Sequence, residues 1–246
     1  MLNASPDIRQ QLADCPPLHP TDLRVTPIHS VLLTNGDLDH IGGLLTLREK
    51  QSFNLFATEE IHKVLRANAV FDALDPAFVT RQTIALNDEF ELAPGLTARL
   101  FAVPGKVPLF MEGDVVETEL EGEQTVGVEL TDGTNRAYYI PGCARLDAKL
   151  ADRINGADLV MFDGTLWRDD EMITTGTGVK SGARMGHMSM SGEAGTIAAF
   201  TPLDIKRKVF VHMNNTNPVL VPASPERTQV EAAGWTIGQD GMEVTL

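Results

Sequence analysis

The stretch Leu32-Leu33-Thr34-Asn35-Gly36-Asp37-Leu38-Asp39-His40-Ile41-Gly42-Gly43-Leu44 closes an apolar run with carboxylates and an imidazole, then re-enters apolar sequence through two glycines. Residues 29–34 read as a short buried strand and residues 43–50 as a short helix, so Asp39 and His40 fall at the join. Strand ends in layered α/β proteins are places where loops converge on a ligand, because the sheet holds their roots. Gly42 and Gly43 read as the residues that let the backbone turn tightly behind His40.

Two further apolar runs end in the same way. Asp163 follows Leu159-Val160-Met161-Phe162, and His212 follows Lys208-Val209-Phe210-Val211. Gly164 then lets the chain leave Asp163 without a side-chain clash. Taken singly, Asp39, His40, Asp163 and His212 each read more readily as a capping carboxylate or a histidine satisfied by backbone. Taken together at three strand ends, two imidazoles and two carboxylates form a donor set suited to Zn, Mn or Fe(II), with water or substrate completing it.

A second constellation follows a glycine-rich stretch, residues 171–185, which reads as an extended loop. It begins with Gly186-His187-Met188-Ser189, where His187 stands before a helix and is placed to act as acid or base; a helix-entry histidine is the equal alternative. In His212-Met213-Asn214-Asn215-Thr216-Asn217-Pro218, the polar side chains read as a network orienting His212, with a plain turn before Pro218 as the alternative. Cys143 reads as buried, and His19, His29 and His62 as structural.

Elsewhere the chain alternates strand and helix signals. Strands are expected at residues 54–57, 83–86, 96–103, 124–130, 137–140, 159–162 and 208–211, and a terminal pair within 235–245. Helices are expected at 58–71, 147–154, 191–200 and 225–233, with a brief one near 7–12 in an otherwise loop-rich first 27 residues. Met1-Leu2 reads as the last step of a strand, and Asp132-Gly133-Thr134-Asn135 as a hairpin turn. The central antiparallel run argues against a simple doubly wound sheet; two mixed sheets covered by helices accommodate the whole pattern.

With 246 residues and 43% hydrophobic side chains, the chain suffices for one domain spanning 1–246. Asp and Glu number 34 against 20 Lys and Arg, and the resulting formal charge of -14 disfavours nucleic acid as a partner. Two cysteines fit a reducing compartment, and no leader or membrane span is evident, so a cytoplasmic protein without membrane insertion is expected.

Residues 34–43, Phe162-Asp163-Gly164-Thr165-Leu166-Trp167, Gly186-His187-Met188-Ser189 and residues 212–218 closely resemble the pyrroloquinoline quinone (PQQ) biosynthesis protein B family, of the metallo-β-lactamase-like superfamily. The resemblance spans essentially the whole chain and implies an α/β fold, an αβ/βα sandwich of two mixed sheets with outer helices. Against the superfamily's His-x-His-x-Asp-His pattern, Asn35 and Asp37 stand at the two histidine positions, while Asp39 and His40 match its ending. Lys106, in Pro104-Gly105-Lys106, stands where another metal histidine is usual. The resemblance therefore implies that the first metal position is dismantled and the second retained, with one metal on Asp39, His40, Asp163 and His212. His187 and Asp163 are expected to be catalytic, with Asn35, Asp37, Lys106, Ser189, Asn214, Asn215 and Asn217 around the metal or substrate.

The implied activity is hydroxylation, by Fe(II) and oxygen, of a tyrosine in the PQQ precursor peptide or its cross-linked product. One Fe(II) is the expected cofactor, with Zn or Mn acceptable in isolated protein. Carriage of PQQ or its precursor toward the periplasm, and metal-dependent hydrolysis, are the alternatives. The precursor peptide or a late intermediate, and other PQQ biosynthesis proteins, are the expected partners. Members of this family normally carry a strand pair and a cysteine cluster resembling a structural zinc site ahead of their Asn-Ala-Ser-Pro-Asp segment. Here Met1-Leu2 stands directly before Asn3-Ala4-Ser5-Pro6-Asp7, so a shortened form lacking the first strands, or a start placed too far downstream, is expected, without structural zinc.

Overall fold

Apolar runs bounded by turn residues build two sheets in the computed structural model, which describes residues 1–23, 25–107 and 120–246. In the smaller sheet β1 (Ser30–Leu32), β2 (Phe53–Ala57) and β3 (Val79–Thr83) lie side by side and parallel. Leu2 continues this sheet past β1 through a parallel bridge to Leu32, whose N–H donates to Met1 O at 2.9 Å. Met1-Leu2 thus has the strand-like pairing its sequence suggests.

The larger sheet comprises β4 (Glu89–Ala93), β5 (Leu96–Ala102), β6 (Val126–Thr131), β7 (Arg136–Ile140), β8 (Leu159–Asp163), β9 (Arg207–Val211) and β10 (Trp235–Ile237), in the order β10-β9-β8-β7-β6-β5-β4. Its first strands pair antiparallel and those from β7 to β10 pair parallel, so the sheet is mixed. The β6–β7 hairpin turns where expected. Gly133 takes a φ of +89°, and the Asp132 carboxylate accepts the amides of Thr134 and Asn135 at 2.8 and 2.7 Å.

Val31, Leu32, Leu55 and Phe56 of the smaller sheet share one buried cluster with Leu100, Val126 and Val128 of the larger. Ile61, Val64 and Leu65 of α3 (Glu59–Arg66) join it from outside, at the helical spacing that puts them on one face. On the larger sheet's other side, Tyr138, Val160, Phe162 and Phe210 meet Leu150 and Ile154 of α4 (Ala148–Ile154) and Val230 of α8 (Pro225–Ala232). Each such side chain stabilises the fold by roughly 1.5–3 kcal/mol on full burial. The result is the expected α/β sandwich: helix, sheet, sheet, helix.

Local differences from expectation have local causes. Residues 43–50 form a 3-10 turn (Gly42–Leu47) rather than an α-helix, and the helix expected to reach residue 71 stops at Arg66. Asn68 Nδ2 donates to Val64 O at 2.7 Å and so takes a helix carbonyl. The strand expected at 83–86 lies upstream as β3, and β4, whose glutamates face solvent, was not anticipated. Helix 191–200 contracts to α7 (Thr196–Ala199) behind Gly192, where φ is +90°. Residues 171–185 contain two short helices, α5 (Glu171–Thr174) and α6 (Gly182–Met185). Only β10 forms from the terminal strand pair among the described residues.

Candidate metal centre and cleft

Asp39 and His40 lie on α2 (Leu38–Ile41), Asp163 ends β8, and His212 follows β9. Register places Asp163 beside Val211, and Gly164 N–H donates to Val211 O at 2.8 Å. A Cβ on Gly164 would stand 3.0 Å from Phe210 Cβ and 3.1 Å from Val211 O, so this close approach favours glycine. His212 itself takes a φ of +60°, a conformation that costs a non-glycine residue energy and is held by its surroundings. Its Nε2 lies 2.8 Å from Asp39 Oδ2.

The N-terminal segment fixes α2 from behind. Ala4 N–H donates to His40 O at 2.7 Å, and Gly43 N–H to Ala4 O at 2.8 Å. A Cβ on Gly43 would come within 2.0 Å of Ser5 O. Gly42 has ordinary helical angles, φ -61° and ψ -32°. Gly43 therefore serves close packing of two chain segments, and Gly42 neither that nor the tight turn its sequence suggested. Three side-chain contacts join Asn3 to Thr34, and Thr34 Oγ1 lies 3.5 Å from His40 Nδ1.

His40 is 3% exposed, and its Nε2 has no hydrogen-bond partner among the described residues. That nitrogen lies 4.0 Å from Asp39 Oδ2, and the His40 and His212 rings meet edge to face at 4.8 Å. Burial, reinforced by the His212 charge and opposed by Asp39, pushes the His40 pKa down to about 3. Burial would raise the Asp39 carboxyl, but the His212 hydrogen bond and the charges of His40 and His212 outweigh it and hold Asp39 well below the carboxylate range. Burial lowers His212, and its bond to Asp39 with the charges of Asp163 and Asp39 more than reverses this. A neutral buried imidazole, an ionised carboxylate and a second imidazole are the protonation states a divalent cation selects. Potential ligand atoms of Asp39, His40 and His212 all lie within 4.8 Å of one another.

Asp163 enters a second triad, with His187 and His212. The four side chains expected around one metal are thus divided between two groups that share His212. Fully buried Asp163 accepts from Cys143 N–H at 2.9 Å and pairs with His187 Nδ1 at 2.7 Å, both through Oδ2. Its Oδ1 accepts from Thr165 N–H at 3.0 Å and Thr165 Oγ1 at 2.7 Å. Burial opposes ionisation of Asp163, and the neighbouring His187 and His212 with these donors overcome it, so its pKa is lowered. Cys143 is buried as expected, and burial pushes its thiol up, away from reactivity.

Both triads open on a cleft of about 720 Å³ lined by Asn35, Asp37, Asp39, Lys106, His187, His212, Asn214 and Asn215. Met172, Met185 and Met213 supply apolar wall, and Lys180 a second cation. Asn217 lies beneath the cleft, 2% exposed, where its Nδ2 donates to Gly164 O at 2.9 Å and steadies the turn after Asp163. Ser189 is not part of the lining; its carbonyl accepts Thr196 N–H at 2.8 Å at the start of α7. The asparagines do not bond the His212 ring among the described residues. Thr165 does, with Oγ1 2.8 Å from Nδ1, and sequence reading missed it. The Asp-x-Thr spacing of Asp163 and Thr165, which favours a local side-chain turn, was the available signal.

A family model described as a beta-lactamase superfamily domain matches residues 1–213. Coenzyme PQQ synthesis protein B of Rhizobium meliloti is 56% identical over 246 residues, spanning 100% of this chain and 81% of that protein. The chain belongs to the coenzyme PQQ synthesis protein B family. A 1.98-angstrom crystal structure of Zn(2+)-bound PqqB from Methylobacterium extorquens, a protein of that name 55% identical to this chain, matches it with a TM-score of 0.97 over 100% of this chain and 82% of the other. The metallo-β-lactamase fold protein YhfI from Bacillus subtilis, at 11% identity and TM-score 0.65, covers 98% of this chain and 85% of its own and shares the fold alone. The Zn(2+) of the Methylobacterium protein overturns the expectation of Fe(II) without structural zinc. Histidine nitrogen and carboxylate oxygen donors are ordinary zinc ligands, so the chemistry of the site agrees with the correction.

No helix among the described residues is long and apolar enough to cross a membrane.

Proposed function

We propose that this chain carries out a metal-dependent step of PQQ synthesis on a peptide-derived precursor held in the cleft. The observation that carries the reading is the buried, unpartnered His40 Nε2 beside Asp39 and His212, in a chain 56% identical to a PQQ synthesis protein B. Asp39, His40 and His212 would hold one divalent cation, which supplies Lewis-acid polarisation of an oxygen atom when bound. Asp163, with its oxygens occupied by His187, Cys143 and Thr165, fixes the His187 imidazole. His187 takes or gives a proton at Nε2, the nitrogen turned away from Asp163. The three methionines receive an aromatic ring, Lys106 and Lys180 offset the acidity of the chain at the cleft, and Asn35, Asp37, Asn214 and Asn215 complete its polar wall.

The reaction class proposed is hydroxylation of a tyrosine ring in the precursor peptide or its cross-linked product: one atom of O2 replaces a ring hydrogen and the other leaves as water, with two electrons drawn from an external reductant. Hydrolysis is the second reading, favoured by the Zn(2+) in the Methylobacterium protein, because zinc does not change oxidation state. The test gives the tyrosine-containing precursor and a two-electron reductant to zinc-loaded protein, and to zinc-depleted protein reloaded with redox-active divalent ions, under labelled oxygen or in labelled water. Label from oxygen in an intact product, lost in Asp39→Asn, supports hydroxylation. Label from water in a cleaved product supports hydrolysis. Tight binding without turnover in every metal state replaces both with a carrier.

A further inference from the structure

We infer that Thr165 is a positioning residue that sets the tautomer of His212, beside Asp163, which sets that of His187, so that each ring carries a proton on Nδ1 and leaves Nε2 as the nitrogen available to a cation or substrate. Thr165 is 7% exposed, and its hydroxyl lies among four acceptor or ambivalent atoms: Asp163 Oδ1 at 2.7 Å, His212 Nδ1 at 2.8 Å, His187 Nδ1 at 3.1 Å and His212 O at 3.1 Å. A hydroxyl has one proton to donate and two lone pairs to receive. Two oxygens 2.7 Å apart, one of them a fully buried carboxylate, require that proton between them, so the hydroxyl donates to Asp163.

With its proton committed, Thr165 Oγ1 is an acceptor toward the imidazoles. His212 Nδ1 must then donate to it at 2.8 Å. His187 Nδ1 lies 2.7 Å from Asp163 Oδ2, which is acceptor-only, so that nitrogen also carries a proton. The two rings stack at 5.5 Å with an interplanar angle of 24°, an arrangement one hydroxyl and one carboxylate hold together. His212 Nε2 is the atom that faces Asp39, and freeing it of its proton is what ligation demands. This last consequence rests on the metal reading above, whereas the tautomer assignment rests on hydrogen-bond geometry alone.

The test is long-range proton–nitrogen NMR of histidine-labelled protein, zinc-free and zinc-loaded, with ring signals assigned by single substitution. Wild-type protein is expected to show Nδ1–H on both His212 and His187 in either state, with His212 Nε2 unprotonated once zinc is bound. Thr165→Val is expected to erase the Nδ1–H lock on His212 and weaken zinc binding about 10–100-fold, and Thr165→Ser to restore both. A wild-type ring carrying its proton on Nε2 alone overturns the assignment, as does Thr165→Val with wild-type tautomers and zinc affinity. If Thr165→Val does not fold, the wild-type spectra decide. Nδ1–H on both rings in a protein that binds no zinc upholds the assignment and defeats the metal reading instead.

Discussion

Asp39 Oδ2 and His212 Nε2 stand 2.8 Å apart although 173 positions separate them in the chain. The fold brings them together by ending β9 against α2, and His40 completes the group from a buried position. Without a metal this contact is a hydrogen bond; the cation proposed above would take both atoms as ligands. Asp39→Asn and His212→Gln are therefore each expected to weaken zinc binding by more than the roughly 100-fold upper range of an outer-shell loss. Competition against a chelator of known affinity measures this. Wild-type affinity in both variants would remove the triad from consideration.

Asp163 and His187 separate stability from turnover. Asp163→Ala leaves the buried amides of Cys143 and Thr165 without their acceptor, at about 1–3 kcal/mol for each orphaned donor. His187 sits at the cleft with part of its ring exposed, so His187→Gln is expected to leave the urea midpoint and zinc affinity near wild type while lowering turnover about 10²–10⁴-fold. Equal losses of stability in the two variants would assign His187 a structural role.

The layered fold and the polar strand ends were legible in sequence because each apolar run is short, bounded by turn residues and tipped by one charged or imidazole side chain. Asp163 and His212 fall where that pattern put them, at the ends of β8 and β9, whereas Asp39 and His40, expected at the end of the first apolar run, lie beyond it on α2. Their partition was not legible. Whether Asp163 faces Asp39 or His187 depends on Thr165 and the Cys143 amide, contacts made across 2 and 20 positions by a hydroxyl and a backbone group that carry no distinctive pattern. Gly43 was seen but misread, because sequence shows that a glycine is present and not whether conformation or a neighbour requires it.

That neighbour makes a third prediction. Gly43→Ala would drive a methyl to 2.0 Å from Ser5 O, a backbone atom that moves only if the N-terminal segment moves. Ser5, Pro6 and Asp7 line the cleft, and Ala4 holds His40 O, so displacement reaches the site. A loss of about 1–3 kcal/mol is expected from overpacking, with weakened zinc binding. Gly42→Ala is the control: its Cβ would meet Pro6 Cγ at 3.4 Å, an ordinary contact, and φ there is already helical. Urea unfolding of both variants at matched m-values checks the contrast, and indistinguishable midpoints would count against the clamp.

His40 gives zinc-free protein a defined pH dependence. Its folded pKa of about 3 lies below the value near 6.5 of an unfolded histidine, chiefly because burial penalises the cation. Between those values the unfolded chain binds a proton that the folded chain refuses. The stability contributed by neutral His40 is therefore complete above pH 6.5 and is lost on acidification at up to about 1.4 kcal/mol per pH unit. His62, lowered chiefly by burial, acts in the same direction. His212 acts oppositely: its raised pKa contributes stability below pH 6.5 that is lost as pH rises through its folded value. Asp39 and Asp163, with lowered pKa values, lose their contributions only as pH falls below the unfolded carboxylate range. The window from pH 6.5 to 5 consequently isolates the buried histidines. In that window His40→Gln is expected to flatten the fall in urea-unfolding free energy relative to wild type, both proteins being zinc-free. An unchanged slope would mean that His40 is not held neutral by burial, and the case for its Nε2 as a ready ligand would fall with it.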